Sequence, residues 1–146
     1  MTEEAFVVLL VEDNPDHAEL VIRGFENQRV TSRIEHVADG EAALDYLFRR
    51  GDYIDPEKTP KPHVILLDLK LPRVGGLEVL KEIKRDPDLR KVPVVVLTTS
   101  SSENDIDTAY SNYTNSYLVK PLDAFKFTEL MQSIGFYWLG WNCKPW

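Results

Sequence analysis

Val64-Ile65-Leu66-Leu67-Asp68-Leu69-Lys70-Leu71-Pro72-Arg73-Val74-Gly75-Gly76 is the stretch that decides the fold. Four apolar residues end in a carboxylate, and then the chain turns. A short unbroken apolar run of this kind is expected of a strand buried on both faces of a parallel sheet. Pro72, Gly75 and Gly76 mark the loop that follows. Asp68 is therefore expected at the carboxyl end of a central strand, the edge of an open α/β sheet where ligands bind. A single Asp there more often caps a helix or is simply solvated, so its meaning depends on what converges on it.

The bulk properties narrow the classes. A length of 146 residues predicts one domain, residues 1–146, and the 43% hydrophobic content is enough for one real core. The formal net charge is −7 and no block of Lys or Arg stands out, which argues against nucleic acid as a partner. Cys143 is the only cysteine, so no internal disulfide can form, which fits a reducing compartment. No apolar segment is long enough to span a bilayer, and Met1-Thr2-Glu3-Glu4 lacks the basic start of a secretory signal. The expectation is a soluble cytoplasmic protein that does not engage membranes.

Upstream, Phe6-Val7-Val8-Leu9-Leu10-Val11 reads as a second buried strand, ending in Glu12-Asp13 before Asn14-Pro15-Asp16 turn the chain. An amphipathic helix follows, with Asp16 at its N-terminus and Leu20, Val21, Ile22 and Phe25 as its apolar positions. A helix start favours one acid; it accounts less well for a pair. Thr31 to Val37 is a weaker strand, Asp39-Gly40 a turn and cap, and Glu41 to Arg50 a second helix. Gly51 to His63, with Pro56, Pro60 and Pro62, is a long loop. It is either an insertion that binds a partner or surface padding, with padding slightly favoured.

Downstream, Leu77, Val79, Leu80 and Ile83 define a third helix ending near Asp86-Pro87. Val92 to Thr98 is a strand ending in hydroxyls. Glu103 to Asn112 is a polar helix with few anchors, which should be mobile. Ser116 to Val119 is a short strand ending in Lys120-Pro121, and Asp123 caps a last helix. From about residue 136 the tail is aromatic. It is either a contact surface or a segment packed back on its own core, in even balance. Strand–helix alternation repeated five times predicts a flavodoxin-like, doubly wound (βα)5 fold with a five-stranded parallel sheet in the order 2-1-3-4-5.

That order brings four strand ends to one rim: Glu12 and Asp13, Asp68, Thr98 and Lys120. Each has a bland alternative, Thr98 as an ordinary strand-end residue and Lys120 as a solvated one. Agreement among independent strand ends is far more specific than its parts. Carboxylates roughly 4 Å apart repel by about 4 kcal/mol per pair at an effective dielectric near 20. Either their pKa values rise or a cation binds. Hard oxygen donors beside an incoming phosphate suit Mg²⁺. Asp68 would then be a nucleophile forming an aspartyl phosphate, with Lys120 and Thr98 on the phosphoryl oxygens.

Glu12-Asp13, Asp68, Pro72 with Gly75-Gly76, Thr98 and Lys120-Pro121 together closely resemble the response-regulator receiver domains of two-component signalling, over nearly the whole chain. The resemblance implies Asp68 as phosphoacceptor for a histidine kinase. It implies Mg²⁺ held by Asp13, Asp68 and the backbone carbonyl of Lys70, with Glu12 acting through water. It also implies that Thr98 and Tyr117 move together as a switch, and that the bond before Pro121 is cis. Tyr117 taken alone is more often a half-buried strand aromatic. The run Val11-Glu12-Asp13-Asn14-Pro15-Asp16, the Pro-containing loop before the third strand and the aromatic end resemble a finer group, the single-domain regulators paired with bacterial phytochromes. Members of that group tend to form homodimers through helix four, strand five and helix five.

The expected function is thus a binding switch without enzymatic activity of its own. Phosphorylation of Asp68 would draw Thr98 inward, and Tyr117 would fill the space. The fourth helix would then shift the face around Tyr110, Tyr113 and Tyr117. Two alternatives remain. A constitutive pseudo-receiver is disfavoured by the complete acid set. A phosphate-handling enzyme on the same fold is disfavoured because Gly-x-x-x-x-Gly-Lys-[Ser/Thr] and Gly-x-Gly-x-x-Gly are absent. It is disfavoured too because Asp68-Leu69-Lys70 lacks a second Asp.

Overall fold

A computed structural model of the chain describes residues 5–26, 28 and 31–146. The acidic start read at Met1–Glu4 lies outside the described residues. Five strands, β1 (Phe6–Val11), β2 (Ser32–Val37), β3 (Val64–Leu67), β4 (Val94–Thr98) and β5 (Ser116–Val119), alternate with five helices. These are α1 (Pro15–Glu26), α2 (Gly40–Leu47), α3 (Gly76–Arg85), α4 (Glu103–Ser111) and α5 (Ala124–Phe136). All strand pairs are parallel and the order is β2-β1-β3-β4-β5, as the alternation predicts.

The two-residue period of a strand divides the core. Leu9, Val11, Ile65, Leu67, Val94 and Val96 face α2, α3 and α4. Val8, Leu10, Val64, Leu66, Val95 and Leu97 face α1 and α5. Both faces are covered, which is why β1, β3 and β4 read as unbroken apolar runs rather than alternating ones. On the second face the helices pack closely through glycine: a Cβ on Gly24 of α1 would lie 2.4 Å from the Met131 Cβ of α5.

Local chemistry sets the helix starts. Pro15 takes the first position of α1, where a missing N–H costs nothing. The Asn14 side chain accepts from the N–H groups of Asp16 and His17, at 2.9 and 3.2 Å. The cap is therefore Asn14, two residues ahead of the expected Asp16. Asp39 and Asp123 cap α2 and α5 as expected, accepting from the N–H groups of Ala42 and Lys126. In α4 only Ala109 is buried among the described residues, in keeping with its sparse anchors.

The Gly51–His63 segment is more than padding. After a short 3-10 turn at Gly51–Tyr53 it folds back, and Thr59 and His63 are buried. The Tyr46 hydroxyl donates to the Pro60 carbonyl at 2.7 Å. Val7 N–H donates to His63 Nδ1 at 2.9 Å, and His63 N–H to the Val7 carbonyl at 2.8 Å. The prolines set the path and the buried polar groups fasten it, a pairing that hydrophobic periodicity does not register.

Of the two readings of the aromatic end, packing back on its own core holds for part of the segment. A π-helical turn at Tyr137–Trp141 extends α5. Trp138 and Leu139 pack into the core, whereas Phe136, Tyr137 and Trp141 stay exposed. The final residues return to the amino ends of the strands. There the Lys61 ammonium lies 3.7 Å from the centre of the Trp146 ring, and that of Lys144 lies 5.9 Å from the centre of Phe6. Among the described residues no helix is long and apolar enough to cross a membrane.

Candidate functional site

The carboxyl ends of β1, β3, β4 and β5 converge as the strand order requires. Glu12 and Asp13 follow β1, Asp68 follows β3, Thr98 ends β4 and Lys120 follows β5. Glu12, Asp68 and Lys120 are 2%, 7% and 4% exposed, and Thr98 is fully enclosed. Charged groups this deeply buried persist only when paired. The Lys120 ammonium donates to Asp68 Oδ2 at 2.8 Å, to Glu12 Oε1, and to His17 Nδ1 at 3.0 Å.

The backbone fixes the rest. Asp68 N–H donates to the Val11 carbonyl at 3.1 Å and Lys120 N–H to the Thr98 carbonyl at 2.7 Å, which ties both candidate residues to the neighbouring strand. Lys70 N–H donates to Asp68 Oδ1 at 3.3 Å, and Asn14 N–H to Glu12 Oε2 at 3.2 Å. Gly76 closes the loop after Asp68. A Cβ there would fall 2.2 Å from the Asp68 carbonyl oxygen and 2.5 Å from the Leu69 Cα, so only glycine allows α3 to start so close to the site.

One ammonium serves two buried carboxylates, and they respond differently. Burial pushes Glu12 up to about 7, against the opposing hydrogen bond and charge of Lys120. Asp68 also suffers from burial, but its hydrogen bond and charge interaction with Lys120, helped by Thr98, outweigh it and hold the carboxyl below its ordinary value. The pair is thus split into a carboxylate that stays ionised at neutral pH and one that takes up a proton near neutrality. This is the usual outcome when like groups share a site. Burial, then Lys120, lowers the pKa of His17, so its Nδ1 lone pair is available to accept.

Glu12, Asp13 and Asp68 each offer a carboxylate oxygen, and the three oxygens lie within 4.8 Å of one another. Asp13 is exposed and the other two are buried, so the cluster opens to solvent on one side. An all-oxygen donor set with an open side fits a divalent cation that keeps some of its water or takes a phosphate oxygen.

On the far side of Thr98 the Tyr117 hydroxyl donates to the Ser100 carbonyl at 2.9 Å. The Ser100 hydroxyl donates to Asp105 Oδ2 at 2.6 Å. This chain of contacts links β5 and the start of α4 to the residue two positions beyond Thr98.

One expectation is corrected. No peptide bond among the described residues is cis, so the Lys120–Pro121 bond is trans. Trans is favoured even before proline, by about 0.5–1 kcal/mol. In the trans form the Lys120 backbone already meets Thr98 and its ammonium already reaches Asp68.

Three residues of the site were not singled out in the sequence: Asn14, His17 and His36, whose Nε2 lies 2.7 Å from the Glu12 carbonyl oxygen. His17 had a signal. Pro15 fixes where α1 begins, and the first turn of a helix that directly follows the acid pair must lie over the pocket.

Residues 8–134 match the model of the response regulator receiver domain. A probable methanogenesis regulatory protein, FilR2 of Methanothrix harundinacea, is 51% identical over 144 residues, covering 98% of this chain and 90% of its own. Response regulator Rcp1 of Synechocystis sp. is 41% identical over 133 residues, covering 91% and 88%. The Mn²⁺-bound crystal structure of Rcp1 superposes with a TM-score of 0.91 at 39% identity, over 96% of this chain and 99% of that one. The phosphorylated cyanobacterial phytochrome response regulator RcpA superposes with a TM-score of 0.93 at 36% identity, over 98% and 100%. With its acidic trio, lysine and threonine gathered on the carboxyl rim of a 2-1-3-4-5 sheet, this chain belongs to the response regulator receiver domain family, the phosphorylation-dependent switches of two-component signalling.

Proposed function

We propose that Asp68 is the phosphoryl acceptor and that a histidine kinase is the donor. The observation that carries this is the ionised Asp68 carboxylate, 2.8 Å from the Lys120 ammonium and beside two further acids. An Asp68 oxygen attacks phosphorus while the bond from phosphorus to the donor's imidazole nitrogen breaks. The imidazole keeps the electron pair. Lys120 and the Thr98 hydroxyl receive the phosphoryl oxygens, since transfer of this kind is mostly positioning and charge stabilisation. A Mg²⁺ ion held by Asp13, Asp68 and the Lys70 carbonyl, with Glu12 acting through water, would neutralise charge on the arriving group.

The output is a change of binding face. Thr98 is drawn toward the phosphoryl group, Tyr117 fills the space, and α4, which buries little, follows. The adjoining surface carries exposed Tyr110, Tyr113, Val119 and Phe125 and a fully exposed Leu122, an apolar patch of the sort that marks an interface. We assign it to a homodimer through α4, β5 and α5. A bacterial phytochrome is the kinase we favour, on the likeness to RcpA, and the cytoplasm is the compartment.

Incubation with acetyl phosphate and Mg²⁺ should give one hydroxylamine-labile label, absent from Asp68→Asn. A label that survives that substitution would defeat the reading.

A further inference from the structure

We propose that His17 is a positioning residue for the phosphoryl-transfer step, acting by holding the third hydrogen of the Lys120 ammonium. The proposal rests on reading Asp68 as the acceptor and goes beyond it. A lysine ammonium has three donors. Two are committed to Glu12 and Asp68, and the third meets His17 Nδ1 at 3.0 Å. Two acceptors leave an ammonium free to rock about the line between them; a third one fixes it.

The imidazole suits this task because it accepts without adding charge. Three acids already crowd the cluster, and a fourth at this place would compete with the phosphoryl oxygens for the same ammonium. The ring itself is well held. The His17 main-chain N–H donates to Asn14 Oδ1, and the ring lies tilted against Phe127 of α5 with centroids 5.5 Å apart. The His17 side chain is 30% exposed, whereas the Lys120 side chain behind it is 2% exposed.

The consequence has a distinctive signature. In the gain step an Asp68 oxygen bonds to phosphorus as the donor's bond breaks. In the loss step a water oxygen bonds to phosphorus as the Asp68 bond breaks, giving inorganic phosphate, a restored carboxylate and a proton released to solvent. Both transition states spread charge over the same phosphoryl oxygens, and Lys120 faces that charge in both. Loosening the ammonium therefore slows gain and loss together, since small misplacements of a charge-stabilising group are costly. A ring that merely shielded the site from water would, when removed, speed loss and leave gain alone.

The test uses the full chain with acetyl phosphate and Mg²⁺, measuring label uptake on Asp68 and, after donor removal, label loss. His17→Phe keeps a ring against Phe127 and removes the acceptor. Both rates should fall by a common factor of about three to ten. His17→Asn, whose amide oxygen can take the place of Nδ1, should return both to within about twofold of the wild type. If His17→Phe does not fold by circular dichroism, His17→Ala replaces it with the same expectation. Unchanged rates, faster loss with unchanged uptake, or an Asn variant as slow as the Phe variant would overturn the proposal. Wild-type label on Asp68 together with any of these results leaves the acceptor reading standing. No Asp68 label in the wild type removes both.

Discussion

Replacing Glu12 by Gln should stabilise the metal-free protein at neutral and alkaline pH while weakening its hold on metal. Burial raises the Glu12 carboxyl from 4.5 to about 7, equivalent to about 3 kcal/mol of preference for the protonated form. Between those two values the folded chain binds this proton more tightly than the unfolded chain. Stability contributed by Glu12 therefore falls as pH rises through the window and stays low above it. Gln keeps an oxygen for Lys120 and carries no such penalty. With a chelator present, the variant and wild type should melt together near about pH 5 and diverge by about 1–3 kcal/mol near pH 8. For a chain of this size that is about 3–10 °C in Tm. Excess Mg²⁺ or Mn²⁺ should narrow or reverse the gap, because a ligand stabilises the form that binds it more tightly. Thermal melts across this pH range, with chelator and with metal, decide the matter. A difference that does not change with pH, or a Gln variant less stable than wild type in chelator near pH 8, would show that Glu12 does not bear the electrostatic strain assigned to it.

Other perturbations have equally definite outcomes. Lys120→Ala leaves Glu12 and Asp68 buried without their shared partner and should cost about 3–5 kcal/mol in urea denaturation, partly recovered by divalent metal. Gly76→Ala places a Cβ 2.2 Å from the Asp68 carbonyl oxygen; the loop must move, at a cost of about 1–3 kcal/mol by the same denaturation and with weaker metal binding by calorimetry. Tyr117→Phe removes the bond to Ser100 and should lower stability by about 1 kcal/mol, with hydrogen exchange rising at the start of α4. Leu122→Glu puts a charge on a fully exposed apolar position and should leave the Tm within about 2 °C of the wild type; it tests the proposed homodimer, whose sedimentation it should shift toward the monomer.

The sheet was legible because its three central strands are apolar on both faces, and each leads into a candidate site residue. Val8–Val11, Val64–Leu67 and Val94–Leu97 could hardly be anything but buried parallel strands. Once those strands were placed side by side, the meeting of Glu12, Asp68 and Thr98 followed, and β5 at the edge of the sheet added Lys120. What escaped were interactions without a period. His63 pairs with Val7 through its own ring and backbone, and nothing in a run of prolines signals that. His17 was not singled out: the start of α1 places it over the pocket, but its partner Lys120 lies 103 positions away in the chain. Resemblance supplied the cis bond at Pro121, and the structure has it trans. The packing of the tail was half legible: Trp138 and Leu139 go inward and Phe136 and Trp141 outward, and a π-helical turn moves such side chains off the period that would sort them.

The return of the last residues to Phe6 and Lys61 bears on how this molecule can be handled. Anything fused behind Trp146, whether an affinity tag or a fluorescent reporter, would leave from the floor of the sheet, a full strand length from the acid-lined mouth. Such a fusion would keep clear of the rim that holds Glu12, Asp13 and Asp68. Its cost would be to disturb the stacked indole, so its anchoring should be checked before signals from the label are read as signals from the switch.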